Sequence, residues 1–294
     1  MLNFMMQSRL NAALFVILFS IGAFIMPLVF VLGIAGISLV SLQKGYLEGI
    51  WVALIAAAIL LGLGLLVGSN GKSIALLLGV SWLPVIIISS RIKNHGNIVY
   101  GLQLGFVFAV LLLGILYGIS MPESDKYWSD FFTNNLEPVL LQLGMNQAVY
   151  DDIKNILIFN MNGLLASSIV LLVVLGLLIG RYWQAKLYNP GGFGKEFREL
   201  KFGKSLAIFG LVAFILSMLG QDFRFFADLK HSFIMLFLLQ GLAIAHYLVE
   251  VRGFGQWALL FVYAGLFILP ILSFVLAVIS ILDNWFDFRS NLSS

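Results

Sequence analysis

Long apolar runs joined by short polar connections repeat from one end of the chain to the other. A helix needs about 20 predominantly apolar residues to cross the hydrocarbon of a bilayer, because backbone polar groups there must be bonded within their own segment. Runs of this kind predict spanning helices at 49–67, 73–90, 98–117, 161–180 and 232–251, with a shorter one at 206–219. Two stretches are too long for one ordinary span: 11–42, interrupted by Pro27, Gly33 and Gly36, and 256–282, broken by Pro270. A proline removes a helix hydrogen bond and disfavours helix at the residue before it. Each stretch therefore fits either two short helices or one strongly kinked long helix. The prediction is an all-α polytopic transmembrane bundle of eight to ten hydrophobic segments, forming one integral-membrane domain over 1–294.

Composition removes the soluble alternatives. Hydrophobic residues make up 61% of the chain and charged residues 11%, with a mean hydropathy of +1.02, against about 25% charged in globular domains. With no cysteine there is no disulfide, thiolate metal site or cysteine nucleophile. The three histidines, His95, His231 and His246, lie in different segments without metal-ligand spacing. Gly71-Lys72-Ser73 imitates the end of a phosphate-binding loop, but Leu66 stands where its first glycine is required. No catalytic pair, cofactor motif or metal site is expected, so the reading is not an enzyme.

Charge then sets the topology. Residues 181–204, RYWQAKLYNPGGFGKEFRELKFGK, place six Lys or Arg against Glu196 and Glu199. Basic loops stay on the cytoplasmic side, so this island is expected there, as are Arg91, Lys93 and Arg252. The net charge of +3 reports that bias and headgroup contact; it does not indicate nucleic acid. Residues 119–160 carry six acidic residues against Lys126 and Lys154, interleaved with Trp128, Phe131 and Phe132. They are expected to be an external amphipathic insertion, a cap on the bilayer surface. The connection 221–231 reads as a balanced aromatic turn on the same outer side. Arg9 precedes an apolar run with no cleavage pattern, which predicts an uncleaved first span.

Polar residues inside apolar runs are costly and point to function. Four are candidates to line a ligand site: Trp82 beside Pro84, Gln103, Gln240 and His246. Each has a plainer reading. Trp82 and Pro84 serve a cavity or only a bend; Gln240 contacts a ligand or another helix; His246 pairs with Glu250 four residues on, or both reach the headgroups. Glycine pairs four apart, among them Gly114/Gly118 and Gly176/Gly180, predict close helix packing. In the island, Pro190 stops a helix, Gly191 and Gly192 permit positive φ, and Phe193, Phe197, Leu200 and Phe202 anchor the next turn in the interface. Asn189, Pro190, Gly191, Gly192, Phe193 and Arg198 are the candidates to dock a membrane-protein partner, with headgroup anchoring as the competing reading.

Two stretches carry a resemblance. Tyr188-Asn189-Pro190-Gly191-Gly192-Phe193 with the basic turn after it, and Leu282-Asp283-Asn284-Trp285-Phe286-Asp287-Phe288-Arg289, resemble the YybS-like family of bacterial inner-membrane proteins. Such proteins are remotely similar to the substrate-binding S components of energy-coupling-factor transporters and to the cell-shape protein MreD. The resemblance implies a multi-pass protein of the bacterial inner membrane. The S-component likeness implies a ligand pocket open to the outer side, although Ala12 and Ala13 lack the alanine partners at 16 and 17 that S components use for docking. The expected function is a small-molecule binding or transport component; the alternative is a non-catalytic scaffold of an envelope or cell-shape complex.

Overall fold

A computed structural model describes residues 1–120, 123–220 and 223–292. Residues 121–122 of the expected insertion, 221–222 of the expected turn and the last two residues of the tail lie outside the described residues. The chain is 87% helical, with no strand among the described residues. In order, the helices are α1 (Leu2–Gln7), α2 (Arg9–Gly22), α3 (Phe30–Lys44, preceded by a 3-10 turn at Pro27–Val29), α4 (Tyr46–Leu66), α5 (Gly71–His95), α6 (Ile98–Ser120), α7 (Glu123–Asn135) and α8 (Glu137–Gln142). They continue with α9 (Gln147–Tyr188), α10 (Gly192–Arg198), α11 (Lys204–Leu216), α12 (Arg224–Val251), α13 (Trp257–Ile268), α14 (Ile271–Phe286) and α15 (Phe288–Leu292).

Among the described residues, six helices are long and apolar enough to cross a membrane: Pro27–Lys44, α4, α5, α6, α9 and α12. The pair α13–α14, bent by 120° at Pro270, makes a seventh if counted as one span, while α2 and α11 are apolar but shorter. The protein is a multi-pass membrane protein with an all-α bundle.

Both overlong stretches break at their prolines and fold back. α2 runs antiparallel to α3, with Gly33 against Val16 and Ser20, and Gly36 against Phe15. Lys44 Nζ donates to the Met6 carbonyl at 2.8 Å and Arg9 Nε to Glu48 at 2.8 Å, so this hairpin begins and ends at one face. At the other end, Arg198 pairs with Glu250 at 2.9 Å, and Arg289 Nη1 donates to the Arg198 carbonyl at 2.8 Å. The α13–α14 hairpin therefore also starts and finishes at a single face, that of the 181–204 island. Gln184 Nε2, within the island, reaches Gln43 Oε1 at 3.2 Å, so both hairpins share it. Twelve of the 17 Lys and Arg residues lie at this basic face.

The insertion differs from expectation at its end. α9 begins at Gln147 and runs 42 residues, about 63 Å, so the last part of the expected cap is the first stretch of a single long helix. α7 and α8 pack on that stretch: Trp128 Nε1 donates to Asn162 Oδ1 at 3.3 Å and Lys154 Nζ to Thr133 Oγ1 at 2.6 Å.

At the bundle centre α9 lies against α3. A Cβ at Gly176 would stand 2.4 Å from Ile34 Cγ2, and one at Gly180 2.5 Å from Ser38 Oγ. By contrast, a Cβ at Gly114 or Gly118 meets nothing within 4 Å, so only some of the glycine pairs are packing sites. Gly176→Val should lower stability by about 1–3 kcal/mol through overpacking, while Gly114→Ala leaves it unchanged. Thermal unfolding of the detergent-solubilised variants checks this, and equal midpoints would refute the α3–α9 contact.

Candidate functional site

Residues 200–203, between α10 and α11, are not helical, yet Leu200 and Phe202 are buried. Irregular backbone inside an apolar bundle must find partners for its N–H and C=O groups, because no water reaches them. Side chains supply these partners. Gln240 Oε1, on α12, accepts the Phe202 N–H at 3.0 Å, and Gln103 Nε2, on α6, donates to the Phe202 carbonyl at 3.1 Å. Asn284 Oδ1 accepts the Gly203 N–H at 2.8 Å, and Arg289 Nη1 donates to the Leu200 carbonyl at 3.0 Å. Gln240 lies 11 residues from the end of α12, about 16 Å along the helix; this is where the segment reaches its depth.

A second ring of bonds holds the first. The Gln240 amide donates to the Ser280 carbonyl at 2.9 Å and approaches Asp283 Oδ2 at 3.4 Å. Asp283, fully buried, pairs with Arg289 at 2.8 Å and accepts the Phe288 N–H at 2.9 Å. Between them Asp287 takes a left-handed conformation, φ 47°, which a short polar side chain tolerates, and the chain turns back so that Arg289 faces inward. Lys201 pairs with Asp287 at 2.9 Å and holds its carboxylate below the ordinary value; this tie is lost only as pH falls through that lowered value.

The four ligand candidates do not share a cavity. Gln103 and Gln240 meet, but on the backbone of Phe202. Trp82 is buried along an apolar groove of about 190 Å³ between α4 and α5. His246 bonds Tyr263 Oη at 2.9 Å and packs edge-on against Phe197. Its expected pairing with Glu250 does not form, since Glu250 is taken by Arg198. Gln103, Gln240 and His246 thus bond the protein's own backbone and neighbouring side chains, whereas the buried Trp82 Nε1 has no hydrogen-bond partner among the described residues.

The island turn is built as predicted. Asn189 N–H closes α9 on the Ala185 carbonyl at 2.8 Å, Pro190 follows, and Gly191 is left-handed with φ +85°. A Cβ at Gly192 would strike the Asn189 side chain at 2.4 Å. Two of the docking candidates, Phe193 and Arg198, are half-buried and engaged within the fold. Phe193 stacks on Phe197 at 5.9 Å and meets Tyr182 edge-on at 5.7 Å, and Arg198 is spent on Glu250. Leu200 and Phe202, expected at the interface, are interior because the chain dips there.

Beside this turn lies a cleft of about 590 Å³ between the α5–α6 connection, the end of α9, and α10. Its wall carries Arg181, whose Nε donates to Glu196 Oε2 at 2.9 Å and Nη1 to Gln184 Oε1 at 2.6 Å. Glu196 Oε1 accepts the Ile98 N–H at 2.9 Å, capping α6.

One buried cluster at the opposite face was not anticipated. Asp228, fully buried, accepts from Tyr117 Oη at 2.5 Å and from the Gly163 N–H at 2.9 Å. Arg224 binds Asp125 and donates to the Ile158 carbonyl at 3.0 Å. The expected interfacial turn is thus the first turns of α12, drawn inside because Gly163 offers no side chain: a Cβ there would sit 2.6 Å from Asp228 Cα.

No family model, curated protein or solved structure matches the chain. Among the described residues, no group of three or more His, Asp or Glu could hold a metal ion.

Arg289→Met strands the Asp283 carboxylate in the interior and should cost about 3–5 kcal/mol, whereas Arg289→Met with Asp283→Leu should cost less than the sum of the two single changes, because the stranded charge is gone while the Leu200 carbonyl and Phe288 N–H stay unpaired. A double-mutant cycle on unfolding in detergent tests the pair; additive losses would contradict it.

Proposed function

We propose that the protein is a non-catalytic scaffold component of a membrane complex, resident in the bacterial inner membrane with its basic face to the cytoplasm, and related to the YybS-like proteins it resembles. The observation that carries this reading is the use to which buried polar side chains are put. Gln103, Gln240, Asn284 and Arg289 are all bonded to backbone at 198–203, and the groove between α4 and α5 is lined by apolar residues and Trp82. A carrier of S-component type calls for polar groups turned toward a shared pocket on the outer side. Here a sizeable polar cleft lies on the basic face. The concentration of Lys and Arg at that face supports its cytoplasmic orientation.

The partner surface in this reading is the exposed rim of the island turn. Tyr188, Asn189, Pro190 and Gly191 stand outward on a turn closed by the Asn189 and Gly192 N–H bonds and by Phe193 packed on Tyr182 and Phe197. A photo-crosslinker replacing Tyr188 in native membranes should capture one membrane protein in reproducible yield, and that protein should retrieve this chain when itself purified. Capture of lipid alone would overturn the scaffold reading.

A further inference from the structure

The cleft on the basic face has a charge pattern that goes beyond a partner surface. Arg181 is fixed on two sides: its Nε and Nη1 are spent on Glu196 and Gln184, and Gln184 is itself bonded to the Leu42 carbonyl and Gln43. Among the described residues Arg181 Nη2 makes no hydrogen bond, which leaves one rigidly aimed guanidinium edge at the cleft wall. With both Glu196 oxygens occupied, the net charge facing the opening falls to two residues at the rim, Lys195 and Glu199. Both are exposed and line the cleft, neither forms an ion pair among the described residues, and they lie four apart, Lys195 in α10 and Glu199 at its C-terminal cap.

A lone anion would gain from Lys195 and Arg181 but meet Glu199 and the negative, C-terminal end of α9 at Tyr188. A lone cation would meet the reverse. A ligand carrying both charges satisfies each: phosphate oxygens on Arg181 Nη2 and Lys195, and an ammonium on Glu199 near Tyr188 and Phe193, which line the cleft. The volume, about 590 Å³, falls in the range of small-ligand sites, roughly 300–1,000 Å³. We propose that this cleft binds a zwitterionic ammonium–phosphate group. That chemistry is shared by the headgroup of phosphatidylethanolamine and by soluble glycerophosphoethanolamine.

The test uses the full chain in vesicles of equal phosphatidylethanolamine and phosphatidylglycerol, extracted in mild detergent and weighed intact by native mass spectrometry. Phosphatidylethanolamine should be retained about tenfold over phosphatidylglycerol, the factor expected for one charge-assisted bond. The rim variant Lys195→Gln/Glu199→Gln, which breaks no contact within the fold, should erase the preference while its unfolding midpoint stays unchanged. Calorimetric titration of lipid-depleted protein with glycerophosphoethanolamine separates the two sources. Saturable binding assigns the site to a soluble ligand; lipid retention without it assigns the site to the membrane. Equal retention of both lipids without saturable binding of glycerophosphoethanolamine, or lipid preference and soluble binding both undiminished in the rim variant, would each overturn the proposal.

Discussion

The fold depends on the need to satisfy an irregular stretch of backbone placed inside an apolar bundle. At 200–203 the chain leaves helix and passes beneath the basic face, and every polar backbone group buried there without a partner would cost several kcal/mol. The partners come from distant parts of the sequence: Gln103 on α6, Gln240 on α12, Asn284 on α14 and Arg289 on α15. The C-terminal hairpin is thereby fastened to the middle of the chain. Asp283 and Arg289 neutralise one another there at 2.8 Å, so a buried ion pair is the keystone of the arrangement. Such a pair adds little net stability over an apolar one but penalises any geometry that separates it.

Two hairpins, at opposite ends of the sequence, open on the same face. α2–α3 is tied shut by Arg9–Glu48 and Lys44, and α13–α14 by the Arg289 latch. Between them α9 is the mast of the bundle, and its glycines 176 and 180 admit α3 closely. One end of this mast carries the insertion helices and the other the island turn, so each polar feature is placed by the same 42-residue helix. The charge asymmetry that orients the protein follows from this geometry, because hairpins that return to their own face keep the basic ends of the chain together.

Much of this was legible from patterning. The apolar runs locate the spanning helices, prolines 27 and 270 locate the breaks, and Asn189 to Gly192 read correctly as a helix stop and left-handed turn. The direction of the two overlong stretches was not readable, since a kink and a reversal have the same sequence. Gln103 and Gln240 were rightly singled out as costly residues, but nothing local tells whether such a side chain faces a ligand or a backbone 99 or 38 residues away. Phe202 misled for a related reason: an aromatic beside lysines looks interfacial, and its burial follows from a dip that only the tertiary partners enforce. Asp228 was hidden by Gly163, whose role is the side chain it lacks.

Hydrogen–deuterium exchange across 199–204 in the detergent-solubilised wild-type chain tests the central claim most directly. The account predicts that the amides of Phe202 and Gly203, though outside any helix, exchange as slowly as those in the middle of α12. Exchange as fast as that of the exposed island turn at 189–191 would mean that this segment is not held within the bundle, and would contradict the account.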